Sequence, residues 1–173
     1  MVIKCYAGTM LECPNCNVEK MIKVIGDYHF TESGLSNLYL KEWPLFRCGN
    51  CDVEMPLLPD SDGFTVWLAE QLIKQRERLC GEDVLFLRKG LGFTGAKLAD
   101  FLGVNRVEVS RWENNRQPIS FQSDFYLRMQ TVDKLLTPQH LVSLIRALRN
   151  YQRDTRTSPL EYHWPHSPQS SLQ

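Results

Sequence analysis

Residues 94–116 read TGAKLADFLGVNRVEVSRWENNR, and this stretch decides the fold that we expect for the second half of the chain. Thr94 is a typical N-cap, and apolar residues follow it at helical spacing. Gly103 then supplies the left-handed residue that ends a helix, and Asn105 caps the next one. One face of that second helix is apolar and consists of Val109 and Trp112. The pattern predicts a helix-turn-helix.

The opposite face of the second predicted helix is polar and basic. Arg106 and Arg111 point outward there, and a guanidinium matches guanine or phosphate, whereas Val107 suits a thymine methyl group. An ordinary helical hairpin would share the apolar stripe, but the turn in fixed register and the outward arginines favour double-stranded DNA as the partner. The residues that we expect to contact DNA are Thr94, Asn105, Arg106, Val107, Ser110, Arg111, Asn114 and Arg116.

Four of the six cysteines form two Cys-x-x-Cys pairs, Cys13 with Cys16 and Cys48 with Cys51, and 31 residues separate the pairs. Each pair lets one tight turn present two thiolates, and two pairs complete the tetrahedral set that Zn²⁺ prefers. The spacing therefore predicts one zinc ion per chain. Because four thiolates leave no open coordination position, we expect that ion to be structural.

The residues around these pairs predict a small β-rich module. Asn17 and Asp52 come directly after the pairs, where the turn usually needs a positive φ, and asparagine and aspartate tolerate it best after glycine. Between the pairs, β-prone runs alternate with turn signals at Gly26–Asp27 and Ser33–Gly34. We therefore expect a small antiparallel sheet whose ends the metal ion holds together.

The composition is that of an ordinary soluble globular protein, with 173 residues of which 43% are hydrophobic and 23% charged. The apolar runs are too short to span a bilayer and the N-terminus has no secretory pattern, so we expect a cytoplasmic protein without a membrane partner. Residues 1–62 carry five basic and nine acidic side chains, and residues 63–173 carry 15 and 11. The second part is therefore the one that suits a phosphate backbone.

We predict an α+β chain, in which a small zinc-stabilised β-rich N-terminal module precedes an all-α helix-turn-helix domain. The linker and the tail follow from composition, because Pro/Asp-rich and Ser/Pro/Gln-rich segments lack the periodicity of packed elements. The predicted boundaries are residues 1–59 for the module, 60–63 for the linker, 64–153 for the helical domain, and 154–173 for a disordered tail.

Four further helices are expected in the helical domain. The first runs from about Phe64 to Leu79, and Gly81 restarts a second. A third covers residues 120–136, and Thr137 caps the fourth. Since helix-turn-helix proteins commonly pair, part of this surface should form a homodimer. The inward face expected for the third helix consists of Phe121, Phe125, Met129, Val132 and Leu136.

The order of these parts resembles the MqsA-type antitoxin group, in which a zinc module with two Cys-x-x-Cys pairs precedes an XRE-family helix-turn-helix. The chain departs from that group where Asn17 and Asp52 replace the usual glycine and where Val107 replaces an asparagine that reads a base. The resemblance covers about residues 11–129, with YHFTESGL at 28–35, FLRK at 86–89, LGV at 102–104 and VSRWEN at 109–114.

The resemblance implies the antitoxin of a type II toxin–antitoxin pair, whose zinc module binds the toxin while its dimeric helical domain binds its own operator and represses transcription. The alternative is a stand-alone zinc-containing helix-turn-helix regulator without a toxin partner. A dithiol oxidoreductase is a third hypothesis, but a redox Cys-x-x-Cys would open a helix in a βαβ unit, which neither pair predicts. We therefore expect a regulator and not an enzyme.

Overall fold

The computed structural model describes residues 12–18, 20–58, 61–155, 157 and 159–163, without the side chains of residues 61 and 62. Over these residues the chain is a mixed helix and sheet protein with its antiparallel sheet at the N-terminal end, as predicted. It divides into two units. The cysteine unit contains the described parts of residues 1–31, 36–61 and 159–173, and the helical unit contains those of residues 32–35 and 62–158.

The cysteine unit is built on a long central strand. Strand β2 (Leu38–Cys48) pairs antiparallel with β1 (Met21–His29) along one side and with β3 (Glu54–Pro56) near its end. The Trp43 indole N–H donates to the carbonyl oxygen of Leu57 at 3.1 Å, which ties the strand to the segment that follows β3. The large buried side chains that β2 contributes to the core are Leu38, Leu40, Trp43 and Leu45.

The turn predicted at Gly26–Asp27 is wrong, because β1 continues through these residues. The pairing shifts there, so that Asp27 faces both Lys41 and Glu42 of β2 in a β-bulge. Its carboxylate accepts from Lys41 Nζ at 2.8 Å and from the Glu42 backbone N–H at 3.1 Å. These bonds lower the pKa of Asp27, and they satisfy polar groups that the bulge leaves outside the ladder.

The disordered tail predicted for residues 154–173 is wrong over its first part. Strand β5 (Gln152–Thr155) pairs parallel with β4 (Glu77–Arg78) in the helical unit, so the prediction that this domain is all-α is also wrong. Strand β6 (Leu160–His163) pairs parallel with β2 in the cysteine unit. A short strand that joins an existing edge gains backbone hydrogen bonds with few apolar residues of its own, and composition alone does not reveal it. Residues 164–173 lie outside the described part of the chain.

The helices of the described chain lie in the helical unit, apart from the first residue of α1, and three of their predicted boundaries are wrong. The first helix already begins inside the predicted linker at 60–63 and ends well before Leu79. The last begins after Thr137, whose hydroxyl lies 2.9 Å from Nδ1 of His140. The helices are α1 (Ser61–Lys74), α2 (Gly81–Gly90), α3 (Gly95–Leu102), α4 (Arg106–Glu113), α5 (Phe121–Leu135) and α6 (His140–Arg149).

A buried arginine ends α1 early. The Arg128 guanidinium on α5 donates to the backbone carbonyl oxygens of Ile73, Gln75 and Glu77 at 3.3, 2.5 and 2.7 Å. These are carbonyls at and beyond the last turn of α1, which lack partners inside the helix. The side chain of Arg128 therefore stabilises the exit of the chain into β4, in place of the longer helix that periodicity predicted.

The inward face predicted for α5 is confirmed in part. Val132 is buried, and Met129 and Leu136 pack against its cluster, but Phe121 is left 52% exposed and polar residues are buried as well. Arg128 and Asp124 form an ion pair on this helix, and both side chains are fully buried. The residues of α5 that are buried are Ser123, Asp124, Leu127, Arg128, Thr131 and Val132.

Gly81 begins α2 at a point where a side chain does not fit. Its N–H donates to Asn115 Oδ1 at 2.7 Å, and a Cβ there would overlap the carbonyl oxygen of Trp112 and lie 2.7 Å from that of Glu113. We expect Gly81→Ala to lower the free energy of unfolding by about 1–3 kcal/mol, as other overpacked substitutions do. Urea unfolding of the full chain measures this loss.

Gly95 is the matched control, because it also begins a helix but a Cβ there would meet nothing within 4 Å. Gly95→Ala should leave the stability unchanged or raise it by about 0.4–1 kcal/mol through the unfolded state. Equal unfolding midpoints for the two variants would contradict the close approach of α2 to the end of α4.

Candidate functional site

The structure brings the four predicted cysteine ligands together. The Sγ atoms of Cys13, Cys16, Cys48 and Cys51 all lie within 4.8 Å of one another. Cys13 Sγ is 3.5 Å from Cys51 Sγ, and Cys16 Sγ is 3.6 Å from Cys48 Sγ. A tetrahedron of Zn–S bonds near 2.3 Å has sulfur–sulfur edges of about 3.8 Å. The cluster is therefore compatible with a structural zinc site.

Two similar turns position these sulfurs. The Asn17 N–H donates to the Cys13 carbonyl at 2.9 Å, and the Asp52 N–H donates to the Cys48 carbonyl at 3.2 Å. Asn17 and Asp52 have φ values of 53° and 54°, so the left-handed residue predicted after each pair is confirmed. The first turn leads toward β1 and the second toward β3, so neither pair opens a helix.

Backbone and side-chain donors surround the thiols. The Val18 N–H and the Asn50 side chain lower the pKa of Cys16 to about 6. The Asn15 side chain and the Val53 N–H also lower the pKa of Cys51. Donors of this kind favour the thiolate form, which is the form that binds a metal ion.

Cys48 shows the opposing effect within the same cluster. The N–H groups of Asn50 and Cys51 lower the pKa of its thiol, but burial and the neighbouring thiols Cys13 and Cys16 raise it to about 11. Four sulfurs this close cannot all ionise without a compensating cation. The geometry of the cluster is thus compatible with a four-thiolate metal site, in which the cation would offset the charge of the thiolates.

The caps predicted for α3 and α4 are confirmed. Thr94 Oγ1 accepts from the Lys97 N–H at 3.1 Å, and Gly103 ends α3 with a φ of 66°. Asn105 Oδ1 accepts from the Val107 N–H at 2.9 Å and thereby caps α4. The predicted buried face of α4 is also present, and it consists of Val109 and Trp112.

All eight residues that we expected to contact DNA are exposed in the structure. Val107 lies in the first turn of α4 and is 54% exposed. The side chains of Thr94 and Asn105 each accept a capping bond, and the Asn114 amide donates to the Ser110 carbonyl at 2.7 Å. The exposed set is Thr94, Asn105, Arg106, Val107, Ser110, Arg111, Asn114 and Arg116.

The structure assigns local roles to three charged residues near this surface. The Glu108 carboxylate accepts from the Asn105 N–H at 3.1 Å in a capping box. Arg88 Nε donates to Glu113 Oε1 at 2.5 Å, so this cation holds α2 to the end of α4. Lys97 is exposed and lies over the Phe93 ring at 4.6 Å, close to Thr94 in sequence.

Comparisons with known proteins add nothing to this picture, since no family model matches the chain and no curated protein matches it. In the described part of the chain, every helix is too short or too polar to cross a lipid bilayer. The assignment of a function therefore rests on the two surfaces described above.

Proposed function

We propose that this protein is a sequence-specific DNA-binding transcriptional repressor that acts as a homodimer and contains one structural zinc ion per chain. We further propose that it is the antitoxin of a type II toxin–antitoxin pair, with the cysteine unit binding the toxin. The observation that carries the DNA-binding proposal is the exposed face of α4, which combines two arginines with an unpacked valine.

This face suits the major groove because of its spacing. Val107, Arg111 and Asn114 are related by i, i+4 and i+7, so they lie on one side of α4, and Arg106 lies beside them at the N-terminal end. An α-helix fits the major groove, and its first turns usually contact the base edges. We therefore propose that Arg111 binds guanine O6 and N7 and that Val107 contacts a thymine methyl group.

The remaining exposed polar residues suit the DNA backbone. Thr94 keeps its hydroxyl hydrogen free for donation, because its oxygen is the atom that caps α3. Ser110, Asn114 and Arg116 are likewise suited to phosphate oxygens, which position a helix without reading sequence. Arg116 follows α4 and is exposed, so its charge should add to affinity on any duplex.

Replacing Arg111 with alanine tests the proposal. We expect Arg111→Ala to weaken binding to the specific operator by about 1–3 kcal/mol and to relax the preference at one base pair. Arg116→Ala is the control, since it should weaken binding to all duplexes alike. It should also reduce the slope of log binding constant against log salt concentration by about one unit. Binding is measured on specific and scrambled duplexes at several salt concentrations.

Equal losses for Arg111→Ala on the specific and scrambled duplexes would show that α4 does not read bases in this way. The operator for this experiment is first selected from random duplexes with the full chain. If the wild-type chain selects no preferred sequence from the random duplexes, the repressor proposal itself is rejected.

The antitoxin role is supported by the resemblance in motif order, and the stand-alone zinc-containing regulator is its alternative. A small toxin-like reading frame beside the gene, whose product is neutralised by co-expression of this chain, is the expected result for an antitoxin. Normal growth arrest by that product in the presence of the chain would favour the stand-alone regulator.

A further inference from the structure

We propose that the edge of β2 at Leu38–Lys41 is a strand-exchange site, at which an extended segment of a partner protein replaces β6. This inference deepens the partner-binding role proposed for the cysteine unit, because it names the surface and the kind of segment that binds there. It rests on that role for its biological meaning, but its experiments require neither DNA nor a toxin.

The edge of β2 already pairs with a strand from a distant part of the chain. β6 pairs with β2 although about 120 residues separate them, and the Leu160 N–H donates to the Asn37 carbonyl at 2.7 Å. Leu160 is 7% exposed, so the pairing also buries one large aliphatic side chain of β6. Main-chain pairing with one anchored side chain is the usual basis of recognition by strand addition.

The backbone pairing of β6 is shorter than that of β1. β6 pairs with β2 at four positions, whereas β1 pairs with it at eight. The ion pairs of Lys41 with Glu161 at 3.9 Å and of Glu42 with His163 at 3.8 Å are long and partly exposed. Pairs of this kind add little to stability. β6 should therefore leave the edge while the rest of the sheet stays folded.

The geometry also indicates the chemistry of the incoming segment. Leu160 lies opposite Leu38, and Tyr162, which is half-buried, lies opposite Leu40 in parallel register. Glu161 is exposed between them, on the side of Lys41. A competing segment should thus be extended and parallel to β2, with a large aliphatic residue, an acidic residue and an aromatic residue in succession.

Covalent attachment gives β6 an advantage that a partner must overcome. A tethered strand acts at an effective concentration of about millimolar, and a competing segment binds only to the fraction of chains in which β6 is detached. A free peptide should therefore bind weakly to the wild-type chain. It should bind more tightly once the anchor of β6 is weakened.

A fluorescent peptide with the sequence TSPLEYH, from residues 157–163, is the probe for this exchange. We expect the full-length Leu160→Ser chain to bind it at least tenfold more tightly than the wild-type chain does. Val142→Ser, which replaces a 61% exposed valine on α6, is the matched control and should bind like wild type. A peptide with serine in place of its leucine should bind none of them. Equal, weak binding by the wild-type and Leu160→Ser chains would overturn the proposal.

Hydrogen exchange of the wild-type chain provides a second measurement that does not depend on the folding of a variant. We expect the β6 amides to exchange at least tenfold faster than the paired amides of β1, because β6 opens by itself. Exchange of both sets at one common rate would show that β6 opens only when the sheet unfolds, and it would reject strand exchange. Neither measurement involves DNA. A negative result would therefore reject strand exchange without bearing on the repressor proposal, which the Arg111 experiment tests.

Discussion

Replacing Cys48 with serine is expected to remove one zinc ion per chain and to unfold the cysteine unit. Cys48 is fully buried, ends β2, and packs with Cys13 and Met21. Structural zinc sites contribute an apparent binding free energy of about 10–16 kcal/mol at neutral pH, so in a unit this small the loss of the metal should be the loss of the fold. Metal analysis and thermal melts of the full chain measure both effects.

Cys80→Ser is the control for this experiment. Cys80 precedes α2 in the helical unit and is not one of the four clustered cysteines, so its replacement should leave the zinc content unchanged. The helical unit has its own core, and Cys48→Ser should therefore largely keep the DNA binding that we propose for this unit. A wild-type chain purified without zinc, or a Cys48→Ser chain that retains it, would reject the zinc assignment.

Replacing Arg128 with methionine is expected to lower the free energy of unfolding of the helical unit by about 3–5 kcal/mol. The substitution removes the cation from a fully buried pair and leaves the Asp124 carboxylate without it. The Asp124 carboxylate would still accept hydrogen bonds from the Leu79 N–H at 3.2 Å and from the Tyr151 hydroxyl at 2.9 Å. Two donors are too few for a buried charge. Urea unfolding followed by circular dichroism measures the loss.

Two further variants separate the lost pair from other effects. Arg149→Met changes an exposed arginine on α6 and should alter the free energy of unfolding by less than about 0.5 kcal/mol. Asp124→Asn combined with Arg128→Met removes both charges, and it should be more stable than Arg128→Met alone. If Arg128→Met and Arg149→Met unfold at the same urea concentration, the buried pair does not stabilise the fold.

Burial of Tyr151 belongs to the same network and has a consequence for its ionisation. Burial, together with the nearby Asp124 carboxylate, raises the pKa of Tyr151 to about 12. The phenol therefore stays protonated at ordinary pH and donates to Asp124. This donor, the Arg128 guanidinium and the Leu79 N–H together satisfy a carboxylate that α-helical periodicity gave no reason to place in the core.

Most of the two candidate sites could be predicted from local sequence. The spacing within Cys13–Cys16 and Cys48–Cys51, and the residues Asn17 and Asp52 after them, set the geometry of each turn within a few residues. Thr94, Gly103 and Asn105 likewise act within one helical turn, as N-caps and as a left-handed helix end. Interactions between residues this close in sequence form in much the same way whatever surrounds them, so their residue types are reliable signals.

Most of the elements that sequence reasoning placed wrongly depend on contacts between distant residues. The Arg128 side chain reaches the Ile73 carbonyl, 55 positions earlier in the chain, and so ends α1. β6 exists because an edge of β2 is available to it, and nothing in residues 159–163 by themselves requires a strand. Burying an arginine is favourable only when its partners are already in place, and pairing of a four-residue strand is favourable only against a formed edge. The sequence by itself therefore determined the cysteine spacing, the turns after the cysteine pairs and the caps of α3 and α4. The tertiary structure decided where α1 ends, which polar residues of α5 are buried and where the C-terminal strands pair.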